Sequence, residues 1–216
     1  MASRFYPTLT AESSVSPAFS STWDVDPIWR TVLDIDAPAG TASTAYTNPK
    51  TGSSAVRVGQ FQFISAPLDS ISATFAACKA AFLCSEDERD DNVYLVVKFR
   101  KCDGDGSNAA DIGSIDDDTE FNDASYINRI IESTDLANSS LTQGQRLIVE
   151  VGYFYNNTKS ETDYGRLYIT NNSGTDLPEN DTETTAYNSW IETGDTFTEA
   201  SGEPAAIKLG PMFAFA

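Results

Sequence analysis

A period of two in the apolar residues constrains this chain more than any other feature. "WRTVLDI" (29–35) puts Trp29, Thr31, Leu33 and Ile35 on one side and Arg30 and Asp34 on the other. "VGQFQFIS" (58–65) alternates Phe61 and Phe63 with Gln60 and Gln62. "NVYLVVKFRK" (92–101) sets Val93, Leu95, Val97 and Phe99 against Tyr94, Lys98 and Arg100, and "GRLYIT" (165–170) sets Leu167 and Ile169 against Arg166 and Tyr168. Successive side chains of a strand point to opposite faces, so each segment reads as a half-buried strand.

Between these runs lie stretches dense in Gly, Pro, Asn, Asp and Ser, read as loops: 36–54, 102–118 and 171–189. The segment 71–91 carries Phe75, Cys78 and Phe82 near helical spacing, but its surroundings are β. The preferred reading is a strand over 71–84 forming a hairpin with 93–101, and a helix is the alternative. About nine or ten strands follow, without an internal repeat. That pattern predicts an all-β chain: one antiparallel β-sandwich domain over 1–216, jelly-roll-like, with long acidic loops. The apolar end "AAIKLGPMFAFA" either closes the chain's own sheet or docks on a neighbour. Segments 1–25 and 200–216 are the candidates for subunit contacts.

Composition narrows function. Among 216 residues, 14 Lys and Arg face 32 Asp and Glu, a formal charge of −18. Such a chain is repelled by nucleic acid and by anionic membranes. It contains no His, which removes the usual acid–base side chain, the Ser–His and Cys–His pairs and most zinc sites. No G-x-S-x-G elbow or phosphate-binding glycine loop occurs. The three cysteines, Cys78, Cys84 and Cys102, read as buried thiols of a reducing compartment, with a Cys78–Cys84 bridge left open. "MASRFYPTLTAESS" has no charged n-region followed by an apolar run, so synthesis in a cytosol is expected, and no stretch is long and apolar enough to span a membrane.

Three chemistries remain for the acids and aromatics. Asp103, Asp105 and Asn108, with Asp116, Asp117, Asp118 and Glu120, are oxygen ligands on loops, as calcium prefers, although no EF-hand order is met. The same residues suit tight turns. Trp23, Trp29, Trp190, Tyr153 and Tyr155 could form a sugar-binding platform, or pack in a core. A glycosidase pair of carboxylates cannot be chosen among so many acids. No catalytic, cofactor-binding or metal residue is therefore assigned, no cofactor is expected, and the chain reads as a protein without enzymatic activity.

The order of "RFYPTLT", "VSPAFSSTWDV", "FQFISAPLDSISATFAACKAAFLCSED" and "LTQGQRLIVEVGYFYNNT", with a late "WIE", resembles a family of small tailed-bacteriophage virion proteins. Its recurring element looks like G-[DQ]-R-L-[VI]-V-E-[VI]-G-Y, here Gly144 to Tyr153, with Gln145 where Asp is expected. The resemblance runs over about residues 4–192. It implies a virion component assembled in the bacterial host cytoplasm. Its partners would be other virion proteins, namely the major capsid protein or collar and tail proteins, and further copies of itself. The first expectation is a capsid decoration or cement protein. The second is a collar, tail or fibre component with a carbohydrate-binding jelly-roll. A polysaccharide hydrolase is a third and weaker one.

Within the motif, Glu150 interrupts an apolar run. The period of two puts Leu147, Val149, Val151, Tyr153 and Tyr155 on the core face, and Arg146, Ile148, Glu150, Gly152 and Phe154 opposite. Glu150 is then expected to pair with Lys98 or Arg100 on a neighbouring strand, helping to set register rather than catalysing.

Overall fold

Arg146–Tyr155 forms the strand around which the fold is arranged. Its core-facing side chains Leu147, Val149, Val151, Tyr153 and Tyr155 are all fully buried. In the computed structural model the described residues are 3–37, 43–51, 54–69, 73–75, 77–87, 92–121, 126–133, 136, 140–156, 162–170, 175–180, 188–194 and 197–198. They form fifteen strands: β1 (Ser3–Ala11), β2 (Trp29–Asp34), β3 (Ser43–Thr47), β4 (Lys50–Thr51), β5 (Val56–Ser65), β6 (Ala73–Thr74), β7 (Cys78–Glu86), β8 (Val93–Cys102), β9 (Ala110–Glu120), β10 (Ile127–Ser133), β11 (Ser140–Leu141), β12 (Arg146–Tyr155), β13 (Thr162–Asp163), β14 (Gly165–Thr170) and β15 (Trp190–Thr193). No helix occurs among the described residues, and none is long and apolar enough to cross a membrane.

Two layers face each other. One runs β1–β2–β5–β12–β8–β9, and the other holds β3, β14, β7, β15 and β10. β1 joins them: Ser3–Phe5 pair with β15, and Tyr6–Ala11 pair with β2. The core lies between the layers, where Phe61, Phe63, Phe99 and Val149 from one meet Phe82, Cys84, Leu167 and Ile191 from the other. This is the expected β-sandwich. Pairing is antiparallel throughout the large strands except for the parallel pair β2–β5.

Several local expectations are corrected. β7 and β8 do not form a hairpin. β7 pairs with β10, β14 and β15, whereas β8 pairs with β12 and β9 in the facing layer. β7 is apolar on both faces: Cys78, Ala80, Phe82 and Cys84 enter the central core, and Ala81 and Leu83 enter a second cluster with Tyr168, Leu177 and Trp190. A strand so lined belongs in the middle of a layer rather than in a two-stranded arm. The segment 36–54 is not one loop, because it contains β3 and β4. Nor is 102–118, where the loop is confined to 103–109 and β9 begins at Ala110. Composition misleads there because β9 is an edge strand, and edges carry charge that discourages further pairing. Its inward residues Ile112 and Ile115 are buried beside five exposed or half-exposed acids. The expectations for 200–216 fall outside the described residues.

The motif glycine is explained by a bulge. Val151 pairs with Phe61 and Gly152 with Gly59, leaving Gln60 unmatched. A Cβ on Gly152 would lie 2.0 Å from the Val58 carbonyl oxygen. The bulge shifts the parity of β5, so Val58 as well as Phe61 and Phe63 reach the core. The extra residue is used: Gln60 Nε2 donates to the Gly165 carbonyl of β14 at 2.6 Å, tying the layers together.

Candidate functional site: a buried carboxylate under a strap

One rung crosses the outer face of the β2–β5–β12–β8 layer. Arg30 lies opposite Gln62, Gln62 opposite Glu150, and Glu150 opposite Lys98. The period of two had placed each of these polar residues on a non-core face. That face is nevertheless covered. Residues 12–28, between β1 and β2, run over it as a strap without regular strands. Val15, Ser20 and Trp23 of the strap are buried, and Val15 packs on Ile64, Cys102 and Ile148.

Glu150 is 0% exposed. Its Oε1 accepts hydrogen bonds from Gln62 Nε2 at 2.9 Å and Arg100 Nη1 at 2.8 Å. Its Oε2 accepts from the Trp23 indole at 2.6 Å. The Ser20 backbone N–H lies 3.2 Å from both oxygens. A buried carboxylate without such donors would pay a large desolvation penalty, and here both oxygens are supplied. Around it, Arg100 also donates to the Ala18 carbonyl at 2.5 Å and to Asp111 Oδ1 at 2.6 Å. Lys98 reaches Asp111 Oδ2 at 3.2 Å and hydrogen-bonds Thr22 Oγ1. Arg30 donates to Gln62 Oε1 at 2.6 Å, to Ser16 Oγ at 2.6 Å and to the Pro17 carbonyl at 3.1 Å. Burial works to raise the carboxyl of Asp111, but hydrogen bonds from Arg100 and Lys98 outweigh it and hold the group below its ordinary value.

Chemically this cluster is a clamp. Both Glu150 oxygens face donors from the protein itself. Asp111 is bridged to Glu150 through the shared Arg100 guanidinium, an arrangement that holds charge still rather than moving protons. Of the two expected partners, Arg100 is the one that pairs with Glu150, at 2.8 Å, although Lys98 is the residue directly opposite it in the ladder. Arg146 takes no part, because it donates to the Gly104 and Ser65 carbonyls. Sequence reasoning missed the strap. Its only signals are Trp23 and the small polar run "SSTWD", neither of which announces a carboxylate partner 127 residues away.

The other sequence candidates are dispersed. Asp105 caps a turn, accepting from the Ser107 N–H and hydroxyl. These bonds from Ser107 lower its carboxyl pKa. Asp103 accepts from Asn108 and Gln145. Asp116 pairs with Arg57 at 2.6 Å, Asp117 with Arg129 at 2.8 Å, and Asp118 accepts from the Thr119 hydroxyl. Among the described residues no three His, Cys, Asp or Glu stand close enough to hold a metal ion. Of the two readings of the aromatic set, platform or packing, the structure shows packing. Trp23, Trp190, Tyr153 and Tyr155 are buried, and Trp29 stacks on Phe61 at 5.2 Å beside Tyr46. These five rings are packing groups: Tyr153, Tyr155 and Trp29 pack in or against the core between the layers, Trp190 packs with Leu177 on one outer face, and Trp23 belongs to the strap on the other.

Cys84 and Cys102 are free thiols, buried as is Cys78. Cys78 and Cys84 stand six residues apart on one strand, about 20 Å at the usual rise, far beyond a disulfide's span.

No family model and no curated protein matches the chain. Solved structures do. An aminopeptidase from a marine sediment archaeon, Thaumarchaeota archaeon, matches with a TM-score of 0.52 at 11% identity, over 92% of this chain and 37% of the other. An α-amino acid ester hydrolase matches with a TM-score of 0.48 at 13% identity, over 74% of this chain and 34% of that one. A CocE/NonD family hydrolase from Staphylococcus aureus matches with a TM-score of 0.49 at 11% identity, over 89% and 36%. The chain thus spans about a third of the length of these proteins, and what it shares with the aminopeptidase is the fold. The expectation of a protein without enzymatic activity is corrected by this finding. A like fold recurs within the archaeal aminopeptidase, so an all-β sandwich lacking His does not by itself set this chain apart from enzymes.

Proposed function

We propose that this chain is a structural component of a tailed-bacteriophage virion, and most specifically a decoration protein on the outside of the head. The observation that carries the reading is the use made of the charged residues. Arg30, Lys98, Arg100, Asp111 and Glu150 are spent on clamping a strap to a sheet, which yields a rigid block rather than an open cleft. The motif that carries the resemblance, Gly144 to Tyr153, supplies the central strand, the clamp carboxylate and the bulge glycine, so its residues have structural work to do. A charge of −18 suits an outer position and a partner with basic patches. Particles lacking this protein are expected to lose infectivity on heating or osmotic shock faster than complete ones. Equal survival, with the protein absent from the head in a particle density map, would remove the reading.

A second reading is favoured by the aminopeptidase match: the chain is a β-module that accompanies a hydrolase. It predicts cleavage of an aminoacyl p-nitroanilide or an amino acid ester when the chain is assayed in the particle or with the proteins it copurifies with. Absence of turnover in both settings leaves the virion reading alone.

A further inference from the structure

The two long sides of the sandwich differ. On one, β1 passes from layer to layer. On the other, among the described residues, β9 pairs only with β8 and β10 only with β7. An open groove of about 290 Å³ lies between these two edges. The buried Ile115 and Ile131 and the half-buried Ile130 line it, together with Asp116, Asp117, Asp118 and Glu132. The two edges are unequal templates. The ladder of β9 to β8 shifts register between Tyr94 and Val96, and Arg129 occupies both the Asp117 carboxylate and the Thr119 carbonyl. The ladder of β10 to β7 runs from Ile127 opposite Cys84 to Ser133 opposite Cys78 without a shift. The free side of such a regular edge presents backbone donors and acceptors to one more strand.

We propose that this groove takes an extended segment of a partner protein in which apolar and basic residues alternate, added as a strand to β10. Charge selects that occupant. The four carboxylates of the groove meet three cations: Arg57 on Asp116 at 2.6 Å, Arg129 on Asp117 at 2.8 Å, and Lys79 at 3.5 Å from Glu132. Lys79 is divided, because it also lies 3.1 Å from Glu179. Asp118 meets only the neutral Thr119 hydroxyl among the described residues. The groove therefore keeps negative charge at Asp118 and at Glu132, both exposed. A second copy of either edge would bring the same acids face to face, and like charges on paired strands repel. The acids that turn away a copy favour a basic strand. Side chains of an added strand alternate between faces. On β10, Ile131 points into the core and Ile130 to the outer face, in step with Glu132. The apolar set of the partner then covers Ile115 and Ile131, and its basic set turns outward to Glu132 and Asp118. The site stands apart from the virion reading, since any protein could supply such a segment.

Fluorescence anisotropy with the full chain and two labelled, end-blocked peptides tests this. Each peptide matches the seven residues of β10 in length. One alternates lysine and isoleucine, and the other is all lysine. The alternating peptide is expected to bind about tenfold more tightly than the all-lysine one. It is also expected to slow hydrogen–deuterium exchange at 127–133 and leave β3 unchanged. An Asp118→Lys, Glu132→Lys double variant should weaken binding about tenfold. An Asp36→Lys, Asp69→Lys variant makes the same charge change at exposed positions outside the groove, and should bind as the parent chain does. Failure of the alternating peptide to bind, or to protect 127–133, overturns the proposal. So does equal weakening by the two variants, or an all-lysine peptide that binds equally well, because either result would mean attraction to the acidic chain as a whole.

Discussion

At the scale of single residues, Glu150 and Gly152 carry the most structural weight in the motif. Every group that touches the Glu150 oxygens is a donor. A glutamine there would turn its own NH2 toward a donor. Glu150→Gln is therefore expected to cost about 1–3 kcal/mol, the range for an unsatisfied buried polar group. Glu150→Ala, which leaves Arg100 without its buried partner, should cost about 3–5 kcal/mol. Urea denaturation of both variants reads these values, and a change below about 1 kcal/mol for the alanine variant would refute the clamp. Gly152→Ala forces a carbon against the Val58 carbonyl and is expected to destabilise by at least about 1–3 kcal/mol, as overpacking does. Burial pushes the Cys102 thiol up to about 11 and the Cys84 thiol well above its ordinary value. At pH 8 neither should react with a disulfide reagent until the chain is unfolded, and rapid labelling of either in the native protein would contradict their burial.

At the scale of elements, the strap is the unexpected part. Its contacts with the sheet include many polar ones: the Glu150 clamp, the Arg30 contacts, and backbone bonds from Asp24, Val25 and Ile28 to β5 carbonyls. Hydrogen bonds of this kind are directional, so one anchor should matter along the strap's length. Trp23→Phe keeps the ring volume roughly but removes the indole N–H from Glu150. Limited proteolysis of that variant is expected to cut within 12–28 several-fold faster than in the parent chain. Cutting at an unchanged rate would mean that the strap is held without the carboxylate.

For the whole molecule, charge sets the response to solvent. With a net charge of −18, self-repulsion opposes the compact state and salt screens it. The midpoint of thermal unfolding is expected to rise between about 20 and 200 mM sodium chloride, where the Debye length contracts from about 20 Å to below 10 Å. A falling midpoint would show that ion pairs such as Asp111–Arg100 outweigh repulsion. Asp111 is held below its ordinary value in the folded chain. A depressed carboxyl contributes stability above its unfolded pKa and loses it as pH falls through the folded value. Its share should therefore be intact at pH 6 and vanish in the acid range below pH 4. Asp111→Asn should flatten that part of the stability curve.

What the sequence determined by itself is the local geometry. Alternation in 29–35, 93–101 and 146–155 marked strands and their core faces, because side-chain direction on a strand follows from position alone. It also put Glu150 on the non-core face, with Lys98 or Arg100 as its candidate partner. Tertiary structure decided what covered the opposite face. Alternation says which side a residue faces, but not whether a loop 127 residues distant in sequence will lie over it. For the same reason β7 and β8, adjacent in the chain, were separated into facing layers. Pairing partners are chosen by which apolar faces can be buried together, and β7 has two such faces to bury.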